Sequence, residues 1–347
     1  MRPLSYTDPV QQGEPPQMRR DETCLVFAAT RDEGAFLVEW ITWYRMLGFT
    51  ILVAHNDCTD HSPALLAAFE KAGWVTALPH SPDGLHPKTS AHRAAQAHPL
   101  MAQADWMMVC DVDEMLVLHR GDGTIGSYLD HLGRHHAGIC FHWRCFGTGG
   151  RDDYQDGLQH RLFTTCGHGH SSINISFKTL FREPARYQRL GDHAPDRFDG
   201  GKGTGGRVFV DCEGRPLTAF ATAEDPLRMT SPAEINHRAA QMNHYILRTL
   251  EDFALKQGQL SASAGVDRYT PKFFKRRNQS GQRDLSALRY AAAFDALWAE
   301  AMALPDVARL HHLCCAERVA RMHVLTDSDP TQDPRWIAHM ARAEVGG

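Results

Sequence analysis

The sequence predicts an α/β fold: a Rossmann-type, mostly parallel sheet with flanking helices and C-terminal helical additions. Three observations carry this. Short, wholly apolar runs alternate with segments of helical period. The first two helical segments between them end at glycine. Polar clusters follow directly after the apolar runs. Alternation at this spacing implies right-handed crossovers and parallel strands.

The elements follow in order. Cys24–Ala29 is a short apolar run suited to a buried strand. Glu33–Leu47 carries Leu37, Trp40, Ile41, Tyr44 and Leu47 at helical spacing, and Gly48 stands where a helix C-terminal glycine belongs. Thr50–Ala54 is a second strand. His61–Ala72 is a second helix, with Pro63 in its first turn and Gly73 at its end. Trp74–Leu78 is a third strand, residues 88–103 a third helix, and Trp106–Cys110 a fourth strand. Beyond these, Ile139–Phe146 and Ile173–Arg182 read as strands. Arg207–Val210 and Leu217–Ala221 read as a pair around an Asp-Cys-Glu-Gly turn. Helices are predicted over 233–257, 284–303 and 305–324, a mobile glycine-rich loop over Asp199–Arg207, and a polar tail after Thr326. The expected organisation is a flexible arm over 1–20, one α/β domain over 21–280, and a helical extension with tail over 281–347.

Composition narrows the function. Hydrophobic residues make up 43% and charged residues 22%, so the chain can bury a large core. Lys plus Arg is 37 against 41 for Asp plus Glu, a net charge of −4, which lacks the basic excess of a dedicated nucleic-acid binder. Nine cysteines, an odd number without any C-x-x-C, argue against a disulfide framework or a zinc ribbon and for reduced thiols, hence a cytoplasmic protein. Met1–Arg20 has no apolar leader core. The most apolar long window, Phe36–Ala54, contains Glu39, Arg45 and Gly48, so no integral membrane segment is expected, although peripheral membrane contact stays open.

In parallel sheets ligands bind beyond the carboxyl ends of the strands. There the sequence places Thr30-Arg-Asp-Glu33, His55-Asn-Asp-Cys-Thr-Asp60, Asp83-Gly-Leu-His-Pro-Lys88 and Asp111-Val-Asp-Glu114. Strand alternation puts Asp111 and Asp113 on one side, a pair of carboxylates suited to a hard divalent cation. Asp57 follows the second strand, where an acidic residue can accept hydrogen bonds from a nucleoside. Lys88 opens a helix, where an ammonium can meet phosphate. A solvated acidic turn and an exposed lysine are the plainer readings of the same residues. Cys166-Gly-His-Gly-His170 reads as a flexible loop before a zinc site. Gly201–Gly206 matches G-x-G-x-x-G without the strand context that motif needs. Lys272–Arg277 reads as a solvated basic face before an anion site.

Taken in order, these residues resemble the glycosyltransferase family 2-like group with a D-x-D-E motif. The matching stretches are Arg31-Asp-Glu-Gly-Ala-Phe-Leu-Val-Glu-Trp-Ile-Thr-Trp-Tyr44, Asn56-Asp-Cys-Thr-Asp60 and Asp111-Val-Asp-Glu-Met-Leu116. Phe141–Gly150, Asn243-His-Tyr245 and Thr249–Lys256 continue it, and the resemblance covers about residues 24–280. It departs from the pattern at Asp32, Cys58-Thr59 and Met115. The resemblance implies a GT-A-like fold and transfer of a sugar, with inversion, from a UDP- or GDP-sugar to a hydroxyl of a glycan or glycolipid. Mn²⁺ or Mg²⁺ would assist. It implies donor contacts at Glu33, Asp57, Lys88 and Asp111, metal ligation by Asp111, Asp113 and His244, and catalytic carboxylates at Asp111, Asp113 and Glu114. His193 is a rival to His244. Asp152, Asp153, Asp192 and Glu251 are candidate bases. A nucleotidyltransferase acting on sugar phosphates, or a non-catalytic sugar or metal binder, are the alternative readings.

Overall fold

The structure, a computed structural model, describes residues 22–198, 208–217, 220, 227–258 and 267–345. The expected arm over 1–20, the glycine-rich loop and most of the Leu217–Ala221 strand lie outside them.

A nine-stranded mixed sheet organises the chain, with the order β3-β2-β1-β4-β8-β6-β12-β5 and β11 pairing with β6. Its first half is parallel: β1 (Cys24–Thr30) lies between β2 (Thr50–His55) and β4 (Trp106–Val109), and β3 (Thr76–Pro79) extends β2. The second half mixes directions. Strand β8 (Phe177–Arg182) runs antiparallel to β4 and to β6 (Gly138–Cys145). Strand β12 (Ala240–His244) is parallel to β6 and antiparallel to β5 (Glu114–Leu118), and β11 (Phe209–Asp211) is parallel to β6. Two short ladders stand apart: β9 (Tyr187–Arg189) with β10 (Asp196–Phe198), and β7 (Thr165–Cys166) with β13 (Gln282–Arg283).

Helix α1 (Gly34–Met46) and helix α2 (Ser62–Lys71) end alike. Gly48, at φ +89°, donates its N–H to Arg45, and Phe49 donates to Tyr44 at 3.0 Å. Gly73, at φ +71°, donates to Glu70, and Trp74 to Phe69 at 2.9 Å. These paired bonds close each helix and turn the chain straight into the next strand, and only glycine takes that φ without strain.

Four sequence expectations change. The helix over 88–103 is two helices, α3 (Pro87–Ala97) and Pro99–Gln103, because Pro99 holds His98 extended at ψ 139°. The helix over 233–257 is instead the fully buried strand β12, followed by the short helix Leu250–Ala254. Ile173–Arg182 divides into the 3₁₀ turn Ser172–Asn174 and strand β8. The polar tail contains the helix Pro334–Val345, which packs on the helix Val307–Leu325.

One apolar core runs from Cys24 on β1 through α1 and the sheet to Val319 and Met322. The helices beyond 281 therefore pack on the core of the sheet. All nine cysteines are unpaired and eight are buried. Among the described residues no helix is long and apolar enough to cross a membrane.

Candidate functional site

The carboxyl ends of β1, β2 and β4 open into a crevice of about 680 Å³. Asp111, Val112 and Asp113 form the turn between β4 and β5, closed by the Glu114 N–H donating to the Asp111 carbonyl at 3.0 Å. Val112 is fully buried, and both aspartates line the crevice. Helix α1 holds this turn through its aromatic residues. Trp40 Nε1 donates to the Asp111 carbonyl at 3.1 Å, Tyr44 Oη to that of Glu114 at 3.2 Å, and Trp43 Nε1 to that of Leu116 at 2.9 Å. Each ring buries its apolar body while its polar tip satisfies a buried carbonyl. The Glu-Trp-x-x-Trp-Tyr run thus fixes the carboxylate turn.

The aspartates are met by cations. Lys88 Nζ, from the first turn of α3, lies 2.6 Å from Asp111 Oδ1, and Lys178 Nζ, from β8, lies 3.3 Å from Oδ2. Lys256 Nζ lies 3.2 Å from Asp113 Oδ2 and donates to the Ile246 carbonyl at 2.8 Å. Burial raises the pKa of Asp111, but Lys178 and Lys88 outweigh it and hold the carboxyl well below its usual range. Burial likewise raises Asp113, and Lys256 and His244 outweigh it. Both carboxylates are therefore ionised at neutral pH.

Glu114 does not reach the crevice. It is fully buried, accepts from Trp143 Nε1 and from the Asp111 N–H at 2.8 Å each, and lies 2.9 Å from Lys178 Nζ. Burial pushes its pKa up to about 8, against the pull of Lys178. It is a positioning group for Lys178 and the turn, not a catalytic carboxylate as the resemblance implied.

His244 comes in on β12, whose antiparallel register sets it opposite Glu114, while Tyr245 donates its N–H to the Asp113 carbonyl at 2.8 Å. His244 Nε2 lies 3.5 Å from Asp113 Oδ1, and Nδ1 is buried without a hydrogen bond. Burial lowers its pKa to about 4, so the ring is neutral and free to coordinate. An anionic oxygen and a neutral imidazole at this spacing fit two neighbouring ligand positions of one Mn²⁺ or Mg²⁺ ion, whose bonds run about 2.0–2.2 Å. Asp111 lines the same crevice with Lys88 on one oxygen and Lys178 on the other, and each oxygen keeps a lone pair beyond that contact. His193 lines the same crevice, but its Nδ1 is tied to the Phe177 carbonyl at 2.8 Å.

Glu33 lines the crevice beside Arg248, whose guanidinium lies 3.4 Å from Glu33 Oε1 and stacks 3.5 Å over the Phe36 ring. Asp57 does not line it. At φ +46° its exposed carboxylate turns back to accept from Asn56 Nδ2 at 2.9 Å, and Asn56 takes the wall position instead. Of the four candidate bases, only Asp192 lines the crevice. Glu251 is held by Arg335 at 2.6 Å, and Asp152 and Asp153 lie outside the wall. Among the described residues one group of three metal-type donors clusters within 4.8 Å, Asp32, Cys58 and Asp60. Its carboxylates are already engaged, Asp32 by the Thr59 N–H at 2.6 Å and by Arg321 at 2.8 Å, and Asp60 by the N–H groups of Gly34 and Ser62.

Several residues at the crevice carry little signal in the sequence. Lys178, buried behind Asp111, is one. Arg318 and Arg321, from the helix Val307–Leu325, are two more, together with Arg268 and Tyr269. A lysine between Phe177 and the Leu180-Phe181 pair of an inward-facing strand is the one local signal for Lys178.

The chain is similar to S. aureus TarS 1-349, at 11% identity over 94% of this chain and 92% of that one, with a TM-score of 0.34. The same protein in complex with UDP-GlcNAc matches at 10% identity over 93% and 92% of the two chains, with a TM-score of 0.32. An active-site mutant of LgtC matches at 14% identity over 65% and 87%, with a TM-score of 0.29. No curated protein matches the chain. The profile of Glycosyltransferase family 92 matches residues 29–253, from the end of β1 to the helix Leu250–Ala254. That span is more than half of the chain and includes both aspartates, Lys88, Lys178 and His244. The motifs that resemble the family 2-like group therefore sit in a different glycosyltransferase family: the chain is a glycosyltransferase and belongs to family 92.

Proposed function

We propose that the crevice binds a nucleotide-diphosphate sugar, a UDP- or GDP-sugar, and that the enzyme transfers the sugar with inversion to a hydroxyl of a glycan or glycolipid. One observation carries this reading: two ionised aspartates and two lysines, Lys88 and Lys256, line one crevice at the carboxyl ends of the parallel strands, with Lys178 buried behind Asp111. Asp113 and His244 would hold a Mn²⁺ or Mg²⁺ ion, which when bound supplies positive charge to the leaving diphosphate.

The protein groups do the rest. Lys88 and Lys256 lie in the wall on either side of the aspartate turn, where their ammonium groups face developing negative charge. Asp111 holds Lys88 and Lys178 in place. The acceptor oxygen bonds to the anomeric carbon while the bond from that carbon to the diphosphate oxygen breaks, and the electron pair leaves with the diphosphate. Asp192 takes the hydroxyl proton. Its own burial raises its pKa, but Lys88 outweighs this and keeps the carboxylate ionised.

The test is a panel of UDP- and GDP-sugars with Mn²⁺, read as release of free nucleoside diphosphate. Release supports the reading. Pyrophosphate from a nucleoside triphosphate and a sugar phosphate would instead identify a nucleotidyltransferase, and binding without any release a non-catalytic protein.

A further inference from the structure

Beside Lys88 the crevice adjoins a second cavity of about 470 Å³, and the two share Lys88, Asp192 and His193 in their walls. Helix α3 forms one side, and the segment linking β9 to β10 forms another. Its charge is one-sided. Lys88, Arg93, Arg189, Arg197 and Arg228 line it, and Asp192 is the one carboxylate among the described lining residues. Asp196 serves both Arg189, at 2.8 Å, and Arg197, at 3.6 Å. Among the described residues no carboxylate pairs with Arg93 or Arg228. A second, independent feature marks the cavity as built. His92, only 8% exposed, lines it with an Nε2 that makes no hydrogen bond, 3.5 Å from an Asp192 Oδ1 that makes none either. Lys88 Nζ also lies 3.5 Å from that Asp192 oxygen, so the three groups face one another across long contacts that an entering hydroxyl can shorten into hydrogen bonds.

We propose that this second cavity is the acceptor subsite and that the acceptor is anionic: a sugar or polyol that carries a phosphate or a carboxylate besides its reacting hydroxyl. The proposal rests on the adjoining crevice being the donor site. Arginine guanidinium groups pair with both anions in the same forked geometry. Asp192 stands on the wall common to both cavities, so an acceptor anchored by its anion presents its hydroxyl to the carboxylate that takes the proton. A neutral acceptor would leave Arg93 and Arg228 without a counter-charge among the described residues.

Full-length protein is titrated with glucose 6-phosphate, glucuronate, glucose and inorganic phosphate, without nucleotide, and separately with UDP. Wild type is compared with Arg93→Gln/Arg228→Gln. Among the described residues these two arginines have no carboxylate partner to be orphaned by the change. Glucose 6-phosphate, glucuronate or both should bind wild type, and glucose should not. The double variant should lose about tenfold in that affinity, as expected for charge-assisted bonds, with UDP affinity unchanged. A response to one anion alone names the acceptor class. Three results overturn the proposal: no sugar anion binds, the double variant binds it as well as wild type, or inorganic phosphate binds as tightly as the sugar anions. Failure of UDP to bind wild type would count against the donor site instead, since the anion titrations are made without it.

Discussion

Lys178 Nζ lies 2.9 Å from Glu114 Oε2, and both side chains are fully buried. The pair ties β8 to the first residue of β5 and so sets where Lys178 meets Asp111. Burial holds the Glu114 carboxyl at a pKa of about 8 even with Lys178 beside it, so Lys178→Met leaves it a protonated, buried carboxyl without that partner. Lys178→Met should therefore cost about 1–3 kcal/mol of folding stability, the cost of a buried polar group left unpaired. Adding Glu114→Gln should restore part of it. Urea denaturation of the single and double variants checks this, and a double variant no more stable than the single one would contradict the pairing.

Asp113 and His244 should act together on cation affinity. Asp113→Asn and His244→Ala should each weaken Mn²⁺ binding, and Asp113→Asn should lower turnover roughly 10²- to 10³-fold, the range for loss of one preorganised charge-stabilising group. Calorimetry with Mn²⁺ and UDP on folded variants gives the answer. Unchanged Mn²⁺ affinity in His244→Ala would move the cation away from this pair.

Gly34 opens α1 against the helix Val307–Leu325. A Cβ there would lie 2.3 Å from Cys314 Sγ, 2.8 Å from Cys314 Cβ and 2.9 Å from Ser62 Oγ. Gly34→Ala should destabilise by about 1–3 kcal/mol, the usual cost of overpacking. Gly34→Ala/Cys314→Ala should recover most of that loss in thermal denaturation. Recovery confined to neither variant would show that the two helices are not in this contact.

Stability should fall with acid. Burial lowers the pKa of His311 to about 3, and of His142 and His237 to about 4, against about 6.5 in the unfolded chain. Between those values the unfolded state binds more protons, so stability is full above about pH 6.5 and is lost as pH falls toward 4. Each group contributes up to about 1.4 kcal/mol per pH unit. Urea midpoints at pH 7.5 and 5 should differ less in His311→Gln than in wild type. Equal differences would remove His311 from the effect.

The parallel half of the fold was legible because its signals are local. Each strand from β1 to β4 is built on a short apolar run, and the first two helices between them show their own period and glycine stop. Strand β12 was not legible. Its residues Ala240, Gln241, Met242, Asn243 and His244 are all buried, so the polar ones do not mark an exposed face, and partners on β5 and β6 decide its conformation. The aspartates could be found from their place after a strand. Lys178 could not, because its meaning lies in Asp111 and Glu114, which only the sheet brings beside it. Asp57 misled for a related reason: position after a strand was right, but a backbone φ of +46° turned its side chain out of the wall.

Arg318 and Arg321 reach the crevice from a helix that begins at Val307. Arg318 is also anchored to Asp252 at 2.5 Å, just before the family match ends. A recombinant fragment cut after residue 280 would keep every aspartate and lysine discussed above and still lack one wall of the chamber. Boundaries for expression or for chimeras therefore belong beyond the helix Val307–Leu325, and any breathing of that helix would be felt as a change in the width of the crevice.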